Sequence, residues 1–350
     1  MMKNIIFLSF LFVGCANPST NTNSVNEAEN ITYQEPIIND LEIIEKEIIQ
    51  KPKSPNVYLK RALFFQEKRN FPSALEDINR ALLLAPDVAV LKYHKAAILY
   101  EFAVYNQDVS LLDESKIYLD NSIAEDLEII EPRLLRAKIY LFEKKTEESM
   151  RLINDVLKID QRIAEAYLIK GMIYQLLGNL SLSSSSYQTA IEVDPDYFDA
   201  YNHLGMLYEK TGKEGAVDYY NSAIAIQPNS IEAHRNKGLY LYFNQEYQLA
   251  RASFEEVKRI DPYFEEAYFN IGNTYLGDFD MMNDVSSLDS AFFYFNTAYQ
   301  MNNEYVQAIH NIGLCHEIKK DLVKAKSWYQ QAIDLDNNFE PSLDAMNALD

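Results

Sequence analysis

The chain has 350 residues, and 52 Asp and Glu against 32 Lys and Arg give it a formal net charge of −20 at pH 7. Phosphate binding requires clustered Lys and Arg, so this charge argues against nucleic acid and anionic lipid headgroups as partners. A hydrophobic content of 48% is enough for a continuous core, and only 10 Gly and 11 Pro argue against long coil or collagen-like regions.

Residues 1–14 are typical of an export signal, because Lys3 precedes a short apolar run that ends at Val13. A run of about nine residues is too short to cross a bilayer as a mature helix. The sequence Leu-Phe-Val-Gly-Cys at 11–15 resembles a bacterial lipobox, in which the cysteine is acylated and becomes the new N-terminus. The resemblance implies lipidation at Cys15, with Phe12 where the motif prefers Leu. An ordinary secretory signal cut nearby is the alternative interpretation.

The segment after Cys15 is polar and has no helical or strand periodicity over residues 16–30. We therefore predict that residues 15–36 form a lipidated cysteine and a flexible tether. No acidic run follows Cys15 directly, which favours a lipid anchor in the outer membrane facing the periplasm. The only other cysteine is Cys315, so no intrachain disulfide is expected once Cys15 carries lipid.

The first predicted helix follows the tether. Ile37, Leu41, Ile44 and Ile48 are spaced at i, i+4 and i+7, which predicts an amphipathic helix. The end units of a repeat array need one polar face. We therefore expect residues 37–54 to form a helix that covers one end of such an array.

A repeated pattern organises the chain from there on. In residues 164–195, an aromatic residue, a glycine and a tyrosine are followed by a tyrosine and an alanine at helical spacing and by a closing proline. The members of this pattern are Tyr167, Gly171, Tyr174, Tyr187, Ala190 and Pro195. The same frame fits Tyr268, Gly272, Tyr275, Ala291, Phe295 and Ala298, and also Gly313, Ala325, Tyr329 and Ala332. The pattern resembles the tetratricopeptide repeat, a helix-turn-helix unit of about 34 residues.

The resemblance implies an all-α fold, a right-handed superhelical solenoid of about eight helix-turn-helix repeats with capping helices. In frame, the repeats are 55–88, 89–129, 130–163, 164–197, 198–230, 231–264, 265–305 and 306–339. Residues 340–350 are expected to form a C-terminal cap. Helices of about 12 to 14 residues are marginal alone, so each must bury an apolar stripe against its neighbours.

The second and seventh repeats each hold about seven extra residues, at 106–113 and 282–289. Both insertions contain Asp-Val-Ser, beginning at Asp108 and at Asp284. One interpretation is that they lengthen the second helix of the repeat, with the aspartates as N-caps. The other is that they form a pair of projecting elbows that dock a partner.

No catalytic constellation is visible. The sequence has no phosphate-cradling glycine-rich loop, no G-x-S-x-G, no H-E-x-x-H and no C-x-x-C. Cys315 and His316 are adjacent, but neighbouring residues of a helix do not face each other. We therefore expect a protein without enzymatic activity, cofactor or metal, in which Cys315 is a buried thiol.

In a stack of this kind the first helices line a concave groove, formed by the second, fifth, sixth and ninth residues of each repeat. An asparagine recurs at the sixth place in Asn236, Asn270 and Asn311, and its amide can donate to and accept from a peptide backbone. Leu168, Ile169 and Met172 are expected to make the groove of the fourth repeat apolar, which suits a partner helix. The candidate peptide-binding residues are Asn202, His203, Arg235, Asn236, Asn270, Asn273, His310 and Asn311.

These features predict a scaffold or adaptor of a bacterial cell envelope that binds a peptide or helix of a partner protein. Proteins of this kind resemble assembly factors of secretion or envelope complexes. Two alternatives stay open. The chain would be a structural spacer or a self-associating subunit without a peptide ligand, or the accessory domain of an envelope enzyme.

Overall fold

The computed structural model describes residues 41–349, and over this range the chain forms eighteen α-helices and no β-strand. The predicted all-α fold of helix pairs is confirmed. The predicted signal, Cys15, the tether and the start of the first predicted helix lie outside the described residues. The helices are α1 Leu41–Gln50, α2 Pro55–Glu67, α3 Phe71–Leu84, α4 Ala89–Asn106, α5 Val109–Glu125, α6 Glu131–Phe142, α7 Thr146–Ile159, α8 Ala164–Leu176, α9 Leu180–Val193, α10 Phe198–Thr211, α11 Ala216–Ile226, α12 Ile231–Phe243, α13 Tyr247–Ile260, α14 Glu265–Met282, α15 Val285–Met301, α16 Val306–Ile318, α17 Leu322–Leu335 and α18 Glu340–Leu349.

The helices fall into two compact units, with the division between Asp194 and Pro195. The first unit contains α1 to α9, and the second contains α10 to α18. From α2 to α17 the helices form eight consecutive antiparallel pairs. We call the first member of each pair the first helix and the other the second helix.

The turn inside a pair is built from a left-handed residue followed by an N-cap. In the pair α8–α9, Gly178 has a φ of 76° and ends α8, and Asn179 Oδ1 accepts a hydrogen bond from Leu182 N at 3.2 Å. Asn70 caps α3 and Asp321 caps α17 in the same manner. Each cap satisfies an N–H group that has no partner within its own helix, which fixes where the second helix begins.

Each pair is held together by a small residue of the first helix facing a large one of the second. In the second unit the small residue is glycine, and a methyl group added at Gly272 would lie 2.6 Å from Phe295 Cε1. In two pairs of the first unit the small residue is larger and the large residue is smaller. Ala62 packs in one cluster with Ile78, and Ala96 packs in another with Leu119. All of these side chains are fully buried. Close packing therefore fixes the summed volume of the two side chains rather than the identity of either one.

Helices of the two units correspond at a constant separation in sequence. Pro55 and Ile231, which start α2 and α12, are 176 residues apart (55 to 231), and so are the starting residues of α3 and α13, of α4 and α14, and of α5 and α15. The corresponding helices also have equal lengths. Each residue of this part of the first unit therefore has a counterpart in the second, which supplies natural controls for substitutions.

The two insertions lengthen both helices of their pairs, so the prediction that they extend the second helix alone is wrong. The first helices α4 and α14 have 18 residues each where α2 has 13, and α5 and α15 have 17 where α3 has 14. The first helix is longer because residues beyond its usual end also make packing contacts. Phe102, for example, stacks on Phe71 with the ring centroids 5.2 Å apart. The predicted caps are confirmed, since Asp108 and Asp284 accept from the backbone N–H of Ser110 and Ser286.

Each unit also contains one helix outside the pairs. In the first unit α1 packs on α2, where Lys60 Nζ lies 2.8 Å from Glu47 and Tyr58 donates to the carbonyl of Pro52 at 3.0 Å. In the second unit α18 packs on α17 and buries Ser342.

Candidate protein-binding face

The first helices of the second unit, α10, α12, α14 and α16, share a polar face that we call the first-helix face. It contains the predicted asparagines and the carboxylates at the second place of three consecutive repeats. Its members are Asp199, Asn202, His203, Glu232, Arg235, Asn236, Glu266, Asn270, Asn273 and Asn311. Direct hydrogen bonds join one first helix to the next across this face.

A relay of three side chains joins α10 to α12. Asn202 Nδ2 donates to Glu232 Oε1 at 2.8 Å, and Asn236 Nδ2 donates to Asn202 Oδ1 at 3.2 Å. When it is ionised, the carboxylate of Glu232 fixes the direction of this relay, because an ionised carboxylate can only accept. Asn202 is 1% exposed and uses both ends of its amide, so it holds the two helices together and does not face a ligand.

The same contact recurs between α12 and α14. The Nε atom of Arg235 lies 2.6 Å from Glu266 Oε1, which also accepts from Asn270 Nδ2 at 3.4 Å. In both cases the fifth residue of one repeat donates to the second residue of the next. Glu232 and Glu266 stand at a place that was expected to line the groove, but they were not among the predicted peptide-binding residues. The available signal was an acidic residue at one place in three consecutive repeats, Asp199 included.

Between α14 and α16 the amide of Asn311 donates from Nδ2 to Asn273 Oδ1 at 2.9 Å. Asn236, Asn270 and Asn311 therefore all use their Nδ2 atoms within the protein. Their Oδ1 atoms have no hydrogen-bond partner among the described residues. The predicted row of asparagines is thus a row of three free acceptors, one in each repeat.

The two histidines of the predicted set have different environments. Burial lowers the pKa of His203 to about 4, which keeps its imidazole neutral at pH 7. His310 packs in the end cap, where its Nδ1 atom lies 3.0 Å from Ser342 Oγ and its ring centroid 5.7 Å from that of Phe339. His310 therefore contacts the start of α18, which covers it.

The expected apolar groove of the fourth repeat is absent from the described surface. Leu168, Ile169 and Met172 are each less than a tenth exposed, because α8 packs against α6 as well as against α9. Their side chains belong to the core, so the prediction that they form an open apolar surface for a partner helix is wrong.

Electrostatics on the first-helix face are dominated by carboxylates. Burial raises the pKa of Glu232 to about 7, and the negative charge of Asp199 raises it further, whereas Asn202 and Arg235 act in the opposite direction. Burial raises the pKa of Tyr305 as well, and Glu266 and Glu265 add to that shift. The face is thus a region of negative potential in which protonated forms are stabilised.

Within residues 41–349, no group of three or more His, Cys, Asp and Glu side chains is placed to hold a metal ion. Over the same range no helix combines the length and apolar character needed to cross a membrane. Cys315 is fully buried, as predicted, and burial raises the pKa of its thiol to about 12. The thiol is therefore protonated and packs as a small apolar group.

Comparison with known protein families identifies the type of repeat that the helix pairs form. A family model described as TPR repeat matches residues 171–212, and one described as tetratricopeptide repeat matches residues 198–230 and 306–339. The chain carries tetratricopeptide repeats. These matches include the pair α10–α11, which contributes Asn202, and the pair α16–α17, which contributes Asn311. No enzymatic family is indicated by the comparisons.

The tetratricopeptide repeats relate the chain to proteins of several kinds. It is 29% identical to anaphase-promoting complex subunit 3 of Schizosaccharomyces pombe over 121 residues, which cover 35% of this chain and 17% of that protein. The solved structure of the APC/C hetero-tetramer Cut9–Hcn1 matches with a TM-score of 0.55 at 17% identity, covering 87% of this chain and 57% of that one. That of PilW, a type IV pilus biogenesis factor, matches with a TM-score of 0.52 at 19% identity, covering 62% and 98%. These structures share the fold.

Proposed function

We propose that this chain is a non-catalytic scaffold of a bacterial cell envelope, lipid-anchored at Cys15 in the outer membrane and facing the periplasm. Its first-helix face binds an extended segment of a partner protein. The observation that carries this proposal is the row of free acceptors, Oδ1 of Asn236, Asn270 and Asn311. An extended chain presents backbone N–H donors at regular intervals, which such a row can bind.

The position in the envelope is supported by the N-terminal sequence, the apolar run followed by Gly14 and Cys15. PilW, a type IV pilus biogenesis factor, has a similar fold. An assembly role in an envelope complex is the process we would test first. The proposal itself depends on the lipobox and on the first-helix face.

Loss of the half-buried amides of the row should remove the partner. Asn236 and Asn311 are therefore replaced together with Asn273, which holds the amide of Asn311, and the buried Asn270 is left in place. We expect the variant Asn236→Ala/Asn273→Ala/Asn311→Ala to lose the partner that the wild-type chain captures by in-cell crosslinking and affinity purification from membranes. All three residues are half-buried rather than buried, so the helices should remain folded, which circular dichroism checks. Asn202 is left intact because it joins α10 to α12.

The matched control replaces three exposed asparagines of second helices, Asn79→Ala/Asn121→Ala/Asn221→Ala. This control removes the same number of amides from the opposite side of the helix pairs and should leave capture unchanged. Equal capture by both variants would contradict the proposal and would favour the structural spacer or the self-associating subunit.

The anchor is tested separately. Replacing Cys15 by serine should move the chain from the membrane fraction to the soluble periplasmic fraction, because no lipid can then be attached to residue 15. Cell fractionation and metabolic labelling with a fatty acid measure this change. The Cys315→Ser variant is the control, since that thiol is buried in α16 and should not affect the distribution. Labelling that persists in the Cys15→Ser variant would refute the anchor.

A further inference from the structure

The first-helix face offers mainly acceptors. Its charged members are the carboxylates of Asp199, Glu232 and Glu266 and the guanidinium of Arg235, which already binds Glu266. The three free atoms in its asparagine row are oxygens. A ligand that complements this face must bring hydrogen-bond donors and positive charge.

Asn270 gives independent evidence for a ligand. Its side chain is 7% exposed and makes a single hydrogen bond, from Nδ2 to Glu266 at 3.4 Å. Its Oδ1 accepts no hydrogen bond within residues 41–349, yet it is not among the fully buried side-chain atoms that lack a hydrogen bond, such as Arg136 Nη1 and Ser183 Oγ. The Oδ1 atom is therefore exposed at the first-helix face although the rest of the amide is buried. A hydrogen-bond donor of a ligand can reach it there.

The positive charge near the carboxylate of Glu232 does not balance the negative charge of the carboxylates around it. It accepts one hydrogen bond, from Asn202, and its second oxygen has no partner among the described residues. Asp199 on α10 repels it, Tyr220 on α11 interacts with it, and Arg235 on its own helix is held by Glu266 on α14. A cation placed beside Glu232 would remove the repulsion between the two carboxylates.

We infer that the partner segment carries a Lys or Arg side chain whose cationic head group binds at Glu232 beside Asp199, while the asparagine row binds its backbone. This inference rests on the proposed function and names the chemistry of its ligand. In the first unit the carboxylate at the same place of the fourth repeat, Glu165, is paired with Lys138.

Binding of the cation has a consequence for pH dependence. The cation stabilises the ionised form of Glu232 and lowers its pKa from about 7, so a proton leaves when the segment binds at neutral pH. Affinity should therefore rise as the pH is raised from about 6 to about 8, and this rise should be absent from the Glu232→Gln variant.

The test uses random dodecapeptides displayed on phage, selected against the purified full chain. Selected peptides are then synthesised with each basic residue replaced in turn by norleucine, which keeps the alkyl chain and removes the charge. Binding is measured for the wild type and for Asp199→Asn/Glu232→Gln, in which the new amide oxygen at position 232 can still accept from Asn202. The control variant Asp218→Asn/Asp334→Asn removes two exposed carboxylates from second helices of the same unit and so corrects for the overall negative charge.

We expect a basic residue at one fixed place in the selected peptides. Removing its charge or using Asp199→Asn/Glu232→Gln should weaken binding roughly tenfold, with no change for the control variant. Peptides that depend on Asn236, Asn273 and Asn311 but bind equally well without a basic residue would overturn this inference and leave the proposed function standing. If no selected peptide depends on those asparagines, the proposed function is overturned, and this inference with it.

Discussion

Replacing Gly272 by alanine should destabilise the second unit by about 1–3 kcal/mol, because the added methyl group overpacks a filled core. The new Cβ would lie 2.6 Å from Phe295 Cε1 and 2.7 Å from Cδ1. Phe295 is fully buried and its ring packs against Phe269 at 5.7 Å, so it cannot move aside at low cost. Urea unfolding followed by circular dichroism, together with amide exchange in α14 and α15, measures the change.

The first unit contains a natural pair in which alanine replaces this glycine and a smaller side chain replaces the phenylalanine. Ala96 and Leu119 stand 176 residues before Gly272 and Phe295, in the corresponding helices α4 and α5. The double variant Gly272→Ala/Phe295→Leu recreates that pair and should recover most of the lost stability, because the summed volume is restored. A double variant no more stable than Gly272→Ala alone would show that the cost comes from another source.

The helix pairs were predictable from sequence because their spacing depends on local chemistry. Gly178 followed by Asn179 ends one helix and starts the next, and glycine opposite an aromatic residue marks where two helices approach most closely. These signals lie within a single repeat. They predict a helix pair without knowledge of how neighbouring pairs pack against each other.

The first-helix face was predictable only in part, because its chemistry is decided between repeats. Whether Asn202 faces a ligand or joins two helices depends on Glu232, which is thirty residues further along the chain. Leu168 was expected on the surface and is buried in α8, a helix that packs against both α6 and α9. A place in the repeat therefore predicts the side of the helix on which a residue lies, and the neighbouring repeat decides what its side chain can bind.

The two lengthened pairs, α4–α5 and α14–α15, are called here the first and the second elbow. Corresponding positions of the two elbows are used in two chemical ways. In the first unit the lengthened helix α4 is held by apolar contacts, in which Phe102 stacks on Phe71 and Leu75 packs in the same cluster. The counterparts of Leu75 and Phe102 in the second unit are Arg251 and Asp278, which form an ion pair. The position of the elbow is thus independent of whether an apolar or an ionic contact holds it.

Replacing Asp278 by alanine should therefore destabilise the second elbow by about 3 kcal/mol, because Arg251, whose side chain is only 18% exposed, loses its carboxylate partner. The guanidinium lies over the ring of Tyr275 at 3.5 Å and donates to Thr274 Oγ1 at 3.0 Å, and neither contact neutralises its charge. The loss should be local, with faster amide exchange in the last turns of α14 and unchanged exchange in α4.

The double variant Arg251→Leu/Asp278→Phe reproduces the apolar contact of the first unit and should be about as stable as the wild type, since replacing a buried ion pair by apolar side chains of similar volume is often neutral. The converse variant, Phe102→Asp, places a carboxylate in the first elbow without a cation at Leu75 and should be the more damaging change. If Arg251→Leu/Asp278→Phe unfolds as readily as Asp278→Ala, the ion pair has a role in the second unit that packing cannot replace. Equal exchange in all three variants would mean that neither elbow is held by these side chains.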